Sequence, residues 1–355
     1  MSKEKIVIYG CGDFFERNIE FIFDCFQVIG IIDKYKTGHK YGKKIVYPKD
    51  IKKIFGNTRV MITIFDIRES IDIATMLQIE CGIDYRNILF GFNILEHGNI
   101  KDRYNAKVIP IENCLYHINI DRAQLDISSG VEWRNIVGTF WREEYGFIVN
   151  NEKRNIIIDV GLNVGDSALY FLQREDVEKV YGYEPFKNTY NIAKHNLEKY
   201  SNSENYEINQ IGLSDVNETR KVFYNNMISD GLSTDIEVSN KIVQDYIKEE
   251  RVCESDIDQE EIDVIRSSEI IKEIIDRHTN NNIVLKMDCE GEEYRIVRDL
   301  HDKNVLKLID IVMLEWHYGG KEELLELLYK DGFSCWYNNK KSDMGLLFAY
   351  KMKSN

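Results

Sequence analysis

The composition of the chain restricts the classes of protein to which it can belong. Its 355 residues fit two domains better than one, and 43% of them are hydrophobic, enough for a substantial core. The net charge of −14 leaves no basic surplus to neutralise phosphates, so a nucleic-acid-binding protein is not expected.

The cysteines and the apolar segments indicate the compartment. The seven cysteines contain no C-x-x-C pair and no zinc-ligand spacing, which is typical of a reducing environment. The first residues, MSKEKIVIYG, lack the apolar region of a signal peptide, and no run approaches the roughly 18 apolar residues of a membrane span. The sequence therefore predicts a cytoplasmic protein with no membrane span.

The chain opens on a pattern of strand, glycine turn, helix and strand that predicts a Rossmann-like domain over residues 1–98. The turn begins at Gly10, the helix covers residues 14–26, and the second strand ends at Asp33, 23 residues after the glycine. Phe15 occupies the position where a dinucleotide-binding turn carries its third glycine, and its ring opposes close packing against a pyrophosphate. NAD binding at this turn is an alternative that the pattern does not favour.

Residues 99–154 are predicted to form a linker and approach helices. The stretch is rich in aromatic residues but only weakly periodic. Such rings can pack over a ligand pocket or can equally well belong to a core, so they are assigned no role.

The second predicted domain, residues 155–355, begins with the same construction as the first. An apolar strand leads into the turn D-V-G-L-N-V-G at residues 159–165, a helix follows, and the next strand ends on Glu184. The glycines permit a tight turn and the close approach of a ligand. Glu184 lies 23 residues after Gly161, where a carboxylate can accept hydrogen bonds from both hydroxyls of a ribose.

The turn pattern D-x-G-x-N-x-G differs from the G-x-G-x-x-G of dinucleotide binders. A pyrophosphate favours the tighter glycine turn, whereas an acid such as Asp159 before the turn suits a ligand with a cationic centre and an amine. S-adenosylmethionine has both. We therefore predict that Asp159, Gly161, Asn163 and Gly165 shape its methionine and ribose pocket, with Glu184 on the ribose. The plain alternative is an ordinary α/β turn followed by an exposed glutamate.

The next predicted strand covers residues 206–213 and ends at Ser214 and Asp215. Asp215 is expected either to border an adenine or simply to cap a turn. The polar, acidic stretch 216–266 predicts a solvated helix or a mobile loop, with a lid at residues 229–233 as the functional alternative.

Two later strands end in side chains capable of chemistry. The strand over residues 283–287 leads to Asp288 and Glu290, and the strand over 309–314 leads to His317. Ligands of open parallel sheets bind outside the carboxyl ends of the strands, so these side chains are expected at the mouth of one pocket. The last two strands are predicted to form an antiparallel pair that turns at residues 338–339.

This set of side chains suits the activation of an alcohol. A hydroxyl is a poor nucleophile until its proton leaves, so a base within hydrogen-bond reach helps. His317 is the first choice by its intrinsic pKa, Asp288 is the second, and Glu290 can orient the acceptor. The alternatives are a surface histidine and an aspartate that caps a helix. The three residues would also suit Mg²⁺ or Mn²⁺, but a divalent metal is not favoured and none is assigned.

Three motifs carry a family resemblance. D-x-G-x-N-x-G at residues 159–165, Glu-Pro at 184–185 and D-x-E-G-x-E at 288–293 occur in the order and spacing of the FkbM family of S-adenosylmethionine-dependent methyltransferases, which the chain resembles from about residue 155 to 350. The resemblance implies a class I methyltransferase fold with a seven-stranded, mostly parallel sheet. The implied cofactor-binding residues are Asp159, Gly161, Asn163, Gly165, Glu184, Pro185 and Asp215. The catalytic residues expected from their chemistry and position are Asp288, His317 and Glu290.

The first domain resembles the amino-terminal domain of bacterial nucleotide-sugar acetyltransferases. The resemblance lies in IVIYGCGD, IGIIDKYKTGHKYGKKI and VMITI. It implies a glycine turn and an Asp33 that help to hold a sugar nucleotide, and it makes the expected fold class α/β with two doubly wound, Rossmann-like domains.

Together these features predict an S-adenosylmethionine-dependent O-methyltransferase. The expected acceptor is a saccharide, a nucleotide sugar or a related small metabolite of glycan or natural-product biosynthesis. The alternatives are an NAD-dependent oxidoreductase or epimerase and a non-catalytic sugar-nucleotide-binding protein. The identity of the acceptor, the choice between oxygen and nitrogen, and homo-oligomer formation stay open.

Overall fold

A computed structural model describes residues 3–95, 106–120, 123–146, 153–224, 232–248 and 257–351. The chain divides into two compact units, residues 1–137 and 138–355. Both units combine helices with sheets, so the mixed α/β class is confirmed. The segmentation into residues 1–98, 99–154 and 155–355 stays a prediction about folding domains.

A six-stranded sheet forms the first part of unit 1. In this sheet the strand order is β3-β4-β2-β1-β5-β6, and the described neighbours are parallel except for the β3/β4 pair. The strands are β1 (Glu4–Tyr9), β2 (Phe26–Ile32), β3 (His39–Lys40), β4 (Lys43–Val46), β5 (Arg59–Ile62) and β6 (Ile88–Phe90). The helices are α1 (Asp13–Arg17), α2 (Ile19–Cys25), α3 (Ile51–Phe55) and α4 (Ile67–Ile79).

The helix predicted over residues 14–26 is two helices. Asn18 separates α1 from α2, and its side-chain amide donates to the carbonyl of Phe14 at 2.8 Å. A side chain that bonds the backbone in this way competes with helix continuation. Phe26, expected to end the helix, begins β2 instead.

An antiparallel sheet follows where a linker and approach helices were expected. Its strands are β7 (Lys107–Pro110), β8 (Tyr116–Ile120) and β9 (Ala123–Ile127), and the helix α5 (Glu132–Phe140) comes next. Tyr116, Ile118 and Ile120 are buried while the residues between them are not, which is the two-residue period of a strand. Residues 99–105 and 147–152 lie outside the described part.

A seven-stranded sheet organises unit 2, which confirms the predicted seven-stranded, mostly parallel sheet. The order is β12-β11-β10-β16-β17-β19-β18, and β19 is antiparallel to both of its neighbours. The strands are β10 (Asn155–Val160), β11 (Val177–Tyr183), β12 (Tyr206–Asn209), β16 (Asn282–Met287), β17 (Ile311–Trp316), β18 (Ser334–Lys341) and β19 (Met344–Tyr350). The helices of the unit are α6 (Asp166–Leu172), α7 (Lys187–Tyr200), α8 (Ile236–Lys248), α9 (Ser267–Arg277), α10 (Glu293–Asp302) and α11 (Glu322–Lys330).

The centre of this sheet fixes one edge for the polar residues. Every residue of β10, β16 and β17 is buried, as expected for strands covered on both faces. Because β10, β11, β16 and β17 are parallel, their carboxyl ends lie at the same edge of the sheet. The loops that follow these four strands therefore open on one side.

A second sheet in unit 2 replaces part of the prediction. Its order is β13-β15-β14, with β13 (Gly212–Ser214), β14 (Glu218–Tyr224) and β15 (Asp258–Arg266). The strand predicted over residues 206–213 is thus wrong as a single element, because its second half pairs with β15. The stretch 216–266, expected to be a solvated helix or loop, contains two strands and α8 in its described parts.

Two further findings concern the end of the chain and its helices. The final antiparallel pair turns at residues 342–343, and residues 338–339 lie inside β18. Residues 229–231 of the proposed lid lie outside the described part. Among the described helices, none is long and apolar enough to pass through a membrane.

Candidate active site

The turn after β10 lies directly against the end of β16. Gly161 has φ +80°, and a Cβ at this position would lie 1.8 Å from the carbonyl oxygen of Asp288. The N–H groups of Gly161 and Leu162 both donate to the carbonyl of Tyr183 at 3.1 Å. Only glycine fits this contact, and the contact brings the predicted cofactor turn next to the predicted catalytic aspartate.

Asp159 is linked to the turn through a hydrogen bond and an ion pair. Its side chain is buried, accepts a hydrogen bond from the Ser167 hydroxyl at 2.6 Å and forms an ion pair with Lys286 at 2.8 Å. Lys286 in turn donates to the carbonyl of Gly161 at 2.8 Å. Burial alone would lower the pKa of Lys286, but the carboxylates of Asp159 and Asp288 raise it. Asp159 therefore shapes the turn, and the structure gives no support to a direct contact with a ligand amine.

Glu184 points at the turn, as the sequence predicts. One carboxylate oxygen accepts from the N–H of Asn163 at 2.8 Å, and the other accepts from the N–H of Phe186 at 3.1 Å and the Thr189 hydroxyl at 2.9 Å. Asn163 has φ +49°, which turns its N–H toward the acid. Burial raises the pKa of Glu184 to about 7 in spite of these donors. The carboxylate thus touches the turn directly instead of facing it across an open cleft.

The other predicted cofactor residues divide into two groups. Pro185 follows Glu184 after the end of β11. Gly165, at φ +85°, directly precedes α6. A Cβ at Gly165 would lie 3.3 Å from the Cα of Ala193, so the backbone there is closely packed. Asp215 lies elsewhere, after β13 of the second sheet, where it meets Ser214 and Arg295. This position gives the predicted role of Asp215 at an adenine no support.

His317 follows β17 and is almost fully buried, at 2% exposure. Its Nδ1 lies 3.1 Å from a carboxylate oxygen of Glu293. Its Nε2 lies 3.8 Å from one oxygen each of Asp288, Glu290 and Glu315. Burial alone would lower the pKa of His317, but Glu290, Glu293 and Asp288 raise it well above its ordinary value. The alternative of a surface histidine is therefore wrong.

Asp288 is the more open member of this group, with 33% of its side chain exposed. The Tyr145 hydroxyl donates to its Oδ2 at 2.9 Å. Burial alone would raise the pKa of Asp288, but Lys286 and His317 lower it, so the group is ionised at neutral pH. Glu290, at φ +53°, accepts a hydrogen bond from the Tyr318 hydroxyl at 3.0 Å.

Four contributors were given no site role from the sequence: Glu293, Glu315, Lys286 and Tyr145. Glu293 accepts from the N–H groups of Cys289 at 3.0 Å and Gly291 at 2.8 Å, which explains the last acid of D-x-E-G-x-E. Lys286 and Glu315 left a signal, because a charged residue inside an otherwise apolar buried strand needs a partner. Tyr145 left none, because it comes from the weakly periodic stretch.

Comparison with known proteins identifies the class of this domain. Residues 159–335 match the family described as "Methyltransferase FkbM domain". A curated relative, "Methyltransferase sdnD" of Sordaria araneosa, is 21% identical over 224 residues, which are 60% of this chain and 86% of the relative. The chain is therefore an S-adenosylmethionine-dependent methyltransferase. More specifically, residues 159–335 form a methyltransferase domain of the FkbM type.

Solved structures that resemble the chain only at low TM-scores were also found. Methyltransferase FkbM from Methylobacillus flagellatus KT is 13% identical with a TM-score of 0.38, covering 98% of this chain and 90% of that one. Precorrin-6y C5,15-methyltransferase from Geobacter metallireducens GS-15 is 8% identical with a TM-score of 0.31, covering 63% and 91%.

Proposed function

We propose that this chain transfers the methyl group of S-adenosylmethionine to a hydroxyl of a saccharide, a nucleotide sugar or a related small metabolite. The observation that carries the proposal is the contact between Glu184 and the backbone of Asn163. It joins an acid at the tip of β11 to the glycine turn after β10, and Gly161 joins that turn to Asp288. Cofactor-binding and acceptor-binding groups are then neighbours at one edge of the sheet.

The strand order supports a finer assignment of the fold. In unit 2 the seven strands, renumbered along the sheet, follow the order 3-2-1-4-5-7-6 with only the last strand of the chain reversed. We assign this sheet to the class I methyltransferase fold. The parallel strands of unit 1 support a second Rossmann-like, doubly wound assignment there.

Glu184 is the proposed acceptor for the ribose hydroxyls. Its charged form accepts on both oxygens, and with its pKa raised to about 7 a bound ribose would favour that form at neutral pH. Gly161, Asn163 and Gly165 provide backbone that a ligand can approach closely. Asp159 shapes the turn through Ser167 and Lys286, and Pro185 directly follows Glu184 in the chain.

The acceptor hydroxyl would attack the methyl carbon in line with the sulfonium. The S–CH₃ bond breaks as the O–CH₃ bond forms, S-adenosylhomocysteine leaves, and the hydroxyl proton goes to a base. Because its raised pKa favours the imidazolium, His317 is a poor proton acceptor at neutral pH. The carboxylates of Asp288 and Glu290 are therefore the proposed acceptors of the proton, which reverses the order expected from intrinsic pKa values.

The acceptor class rests on family resemblance. The saccharide or nucleotide sugar comes from the resemblance of residues 1–98 to nucleotide-sugar acetyltransferases, which stays a prediction, as do a role in glycan biosynthesis, homo-oligomer formation and a cytoplasmic location.

Titration calorimetry with S-adenosylmethionine tests the proposal. The intact protein should bind the cofactor, and Glu184→Ala should weaken binding at least about tenfold, because a hydrogen bond to a charged group contributes roughly 1.5–3 kcal/mol. Asp33→Ala is the matched control, since Asp33 is also an acid at the tip of a second strand but belongs to unit 1. Absence of binding by the intact protein would remove the proposal.

A further inference from the structure

Three acids surround one buried ring nitrogen of unit 2, that of His317. Nε2 of His317 has carboxylate oxygens of Asp288, Glu290 and Glu315 around it, each at 3.8 Å. This distance is too long for a hydrogen bond. His317 is almost fully buried, with 2% exposure. This buried polar atom therefore has three acids around it and no hydrogen bond to any of the three, a spacing that a small cation between them would fit.

The groups around this position form a ligand set. A ring nitrogen of His317 and carboxylate oxygens of Asp288 and Glu315 all lie within 4.8 Å of one another. Two carboxylates with one imidazole suit Mg²⁺ or Mn²⁺, whereas a zinc site usually has more nitrogen or sulfur ligands.

The second ring nitrogen of His317, Nδ1, has the kind of carboxylate partner that metal-binding histidines commonly have. Nδ1 of His317 lies 3.1 Å from Glu293, a glutamate that is fully buried and fixed by two backbone N–H groups. Histidines that bind metals commonly donate their second ring N–H to a carboxylate, which fixes the ring and leaves the other nitrogen free to bind. Glu293 supplies that partner here. A cation bound at Nε2 would take the place of the proton that the surrounding acids favour there.

The charge balance favours a cation as well. Four carboxylates lie around His317: Asp288, Glu290, Glu293 and Glu315. Lys340 forms ion pairs with both Glu315, at 2.9 Å, and Glu144, at 3.2 Å. Lys286 forms an ion pair with Asp159, which lies outside this group of acids. The acids therefore exceed the basic groups, and a divalent cation would reduce the surplus.

We propose that Asp288, Glu315 and His317 bind a divalent cation of the Mg²⁺ or Mn²⁺ class, which also binds the acceptor hydroxyl. Asp288, one-third exposed, leaves the site open on one side. A hydroxyl bound there would lose its proton more readily, and Glu290 stands beside it outside the ligand set. The purpose of the cation rests on the proposed function, but its binding is independent of it.

Manganese titration followed by electron paramagnetic resonance tests the proposal without cofactor. Added Mn²⁺ should lose its free-ion signal on binding to the full chain, and Mg²⁺ should compete for the site. Glu315→Gln and His317→Gln should each weaken Mn²⁺ binding at least about tenfold. His301→Ala is the matched control, because His301 is another histidine paired with a carboxylate, Asp331, at 2.8 Å in the same unit.

The outcomes separate the two proposals. Undiminished Mn²⁺ binding by both variants, or no binding by the intact chain, would overturn the cation site. His317→Gln retains a donor toward Glu293, and circular dichroism shows whether each variant is folded. Calorimetry on the same samples without metal measures S-adenosylmethionine binding separately, so a chain that binds the cofactor but not Mn²⁺ refutes only the cation site.

Discussion

The turn at Gly10 in unit 1 and the turn at Gly161 in unit 2 each receive an acid from the tip of the neighbouring strand. Asp33 accepts from the N–H of Cys11 at 3.3 Å, and Glu184 accepts from the N–H of Asn163 at 2.8 Å. The same 23-residue construction thus gives the same contact twice.

The electrostatic results differ between the two acids. Burial alone would raise the pKa of Asp33, but the N–H groups of Tyr35 and Lys36, each at 2.9 Å, lower it together with Cys11. Burial instead dominates at Glu184 and raises its pKa to about 7. The oxygens of Asp33 accept from Cys11, Tyr35 and Lys36, just as those of Glu184 accept from Asn163, Phe186 and Thr189. The two acids therefore differ in the direction of their pKa shift and not in having partners. A cavity of about 540 Å³ borders the turn at Gly10, and NAD binding there stays an alternative that the sequence does not favour.

Alanine substitution of the two glycines should separate the turns most strongly. Gly161→Ala places a Cβ 1.8 Å from the backbone oxygen of Asp288, so we expect unit 2 to lose on the order of 4 kcal/mol of stability. Gly10→Ala places a Cβ 3.2 Å from the Ile64 side chain and 3.5 Å from the carbonyl oxygen of Thr63, which are much milder contacts, and it should cost about 1–2 kcal/mol for its positive φ.

Urea unfolding followed by tryptophan fluorescence measures the first effect, because three of the four tryptophans, Trp141, Trp316 and Trp336, lie in unit 2. Hydrogen exchange of β1 and β2 peptides measures the second. Equal losses at Gly10 and Gly161 would show that the contact with Asp288 is not as close as described.

The pH dependence of stability should distinguish Glu184 next. Its pKa is about 7 in the folded chain against 4.5 ordinarily, so the folded state holds this proton more tightly than the unfolded state does. The free energy of unfolding should therefore fall by about 3 kcal/mol as pH rises from about 4.5 to above 7, and then level off.

Glu184→Gln removes this titration, and the difference between wild type and variant cancels the other groups. Urea unfolding at pH 5 and pH 8 gives that difference without ligand. If the variant shows the same fall as the wild type, the carboxyl is not the group that titrates.

The central strands and both turns were predictable because their signals are local. β10, β16 and β17 are continuous apolar runs, and a glycine turn followed by an acid at the next strand tip needs only short-range pattern. Asp288 and His317 were predictable from the rule that parallel strands end at one edge.

The parts that failed depend on partners distant in sequence. β14 and β15 alternate buried and exposed residues, such as Val222 beside exposed Lys221, but their many charges resemble a solvated segment until the two strands are paired. The break between β12 and β13 is set by pairing with β15, some 50 residues later. Nor could sequence show that burial prevails at Glu184 while backbone donors prevail at Asp33.

The smallest expected effect comes from Asp33, and its pH dependence has the opposite sign to that of Glu184. A lowered pKa means that the ionised Asp33 stabilises the folded chain above its ordinary pKa of 3.8, and that this contribution is lost as pH falls through the lowered value. Asp33→Asn should cost roughly 1–2 kcal/mol at pH 7, because an amide cannot accept from the N–H groups on both sides. Hydrogen exchange of β1 and β2 at pH 7, with cofactor affinity measured in parallel, tests this. A loss of S-adenosylmethionine affinity in Asp33→Asn would mean that the two turns do not act separately, whereas faster exchange confined to unit 1 would assign Asp33 to the stability of its own loop.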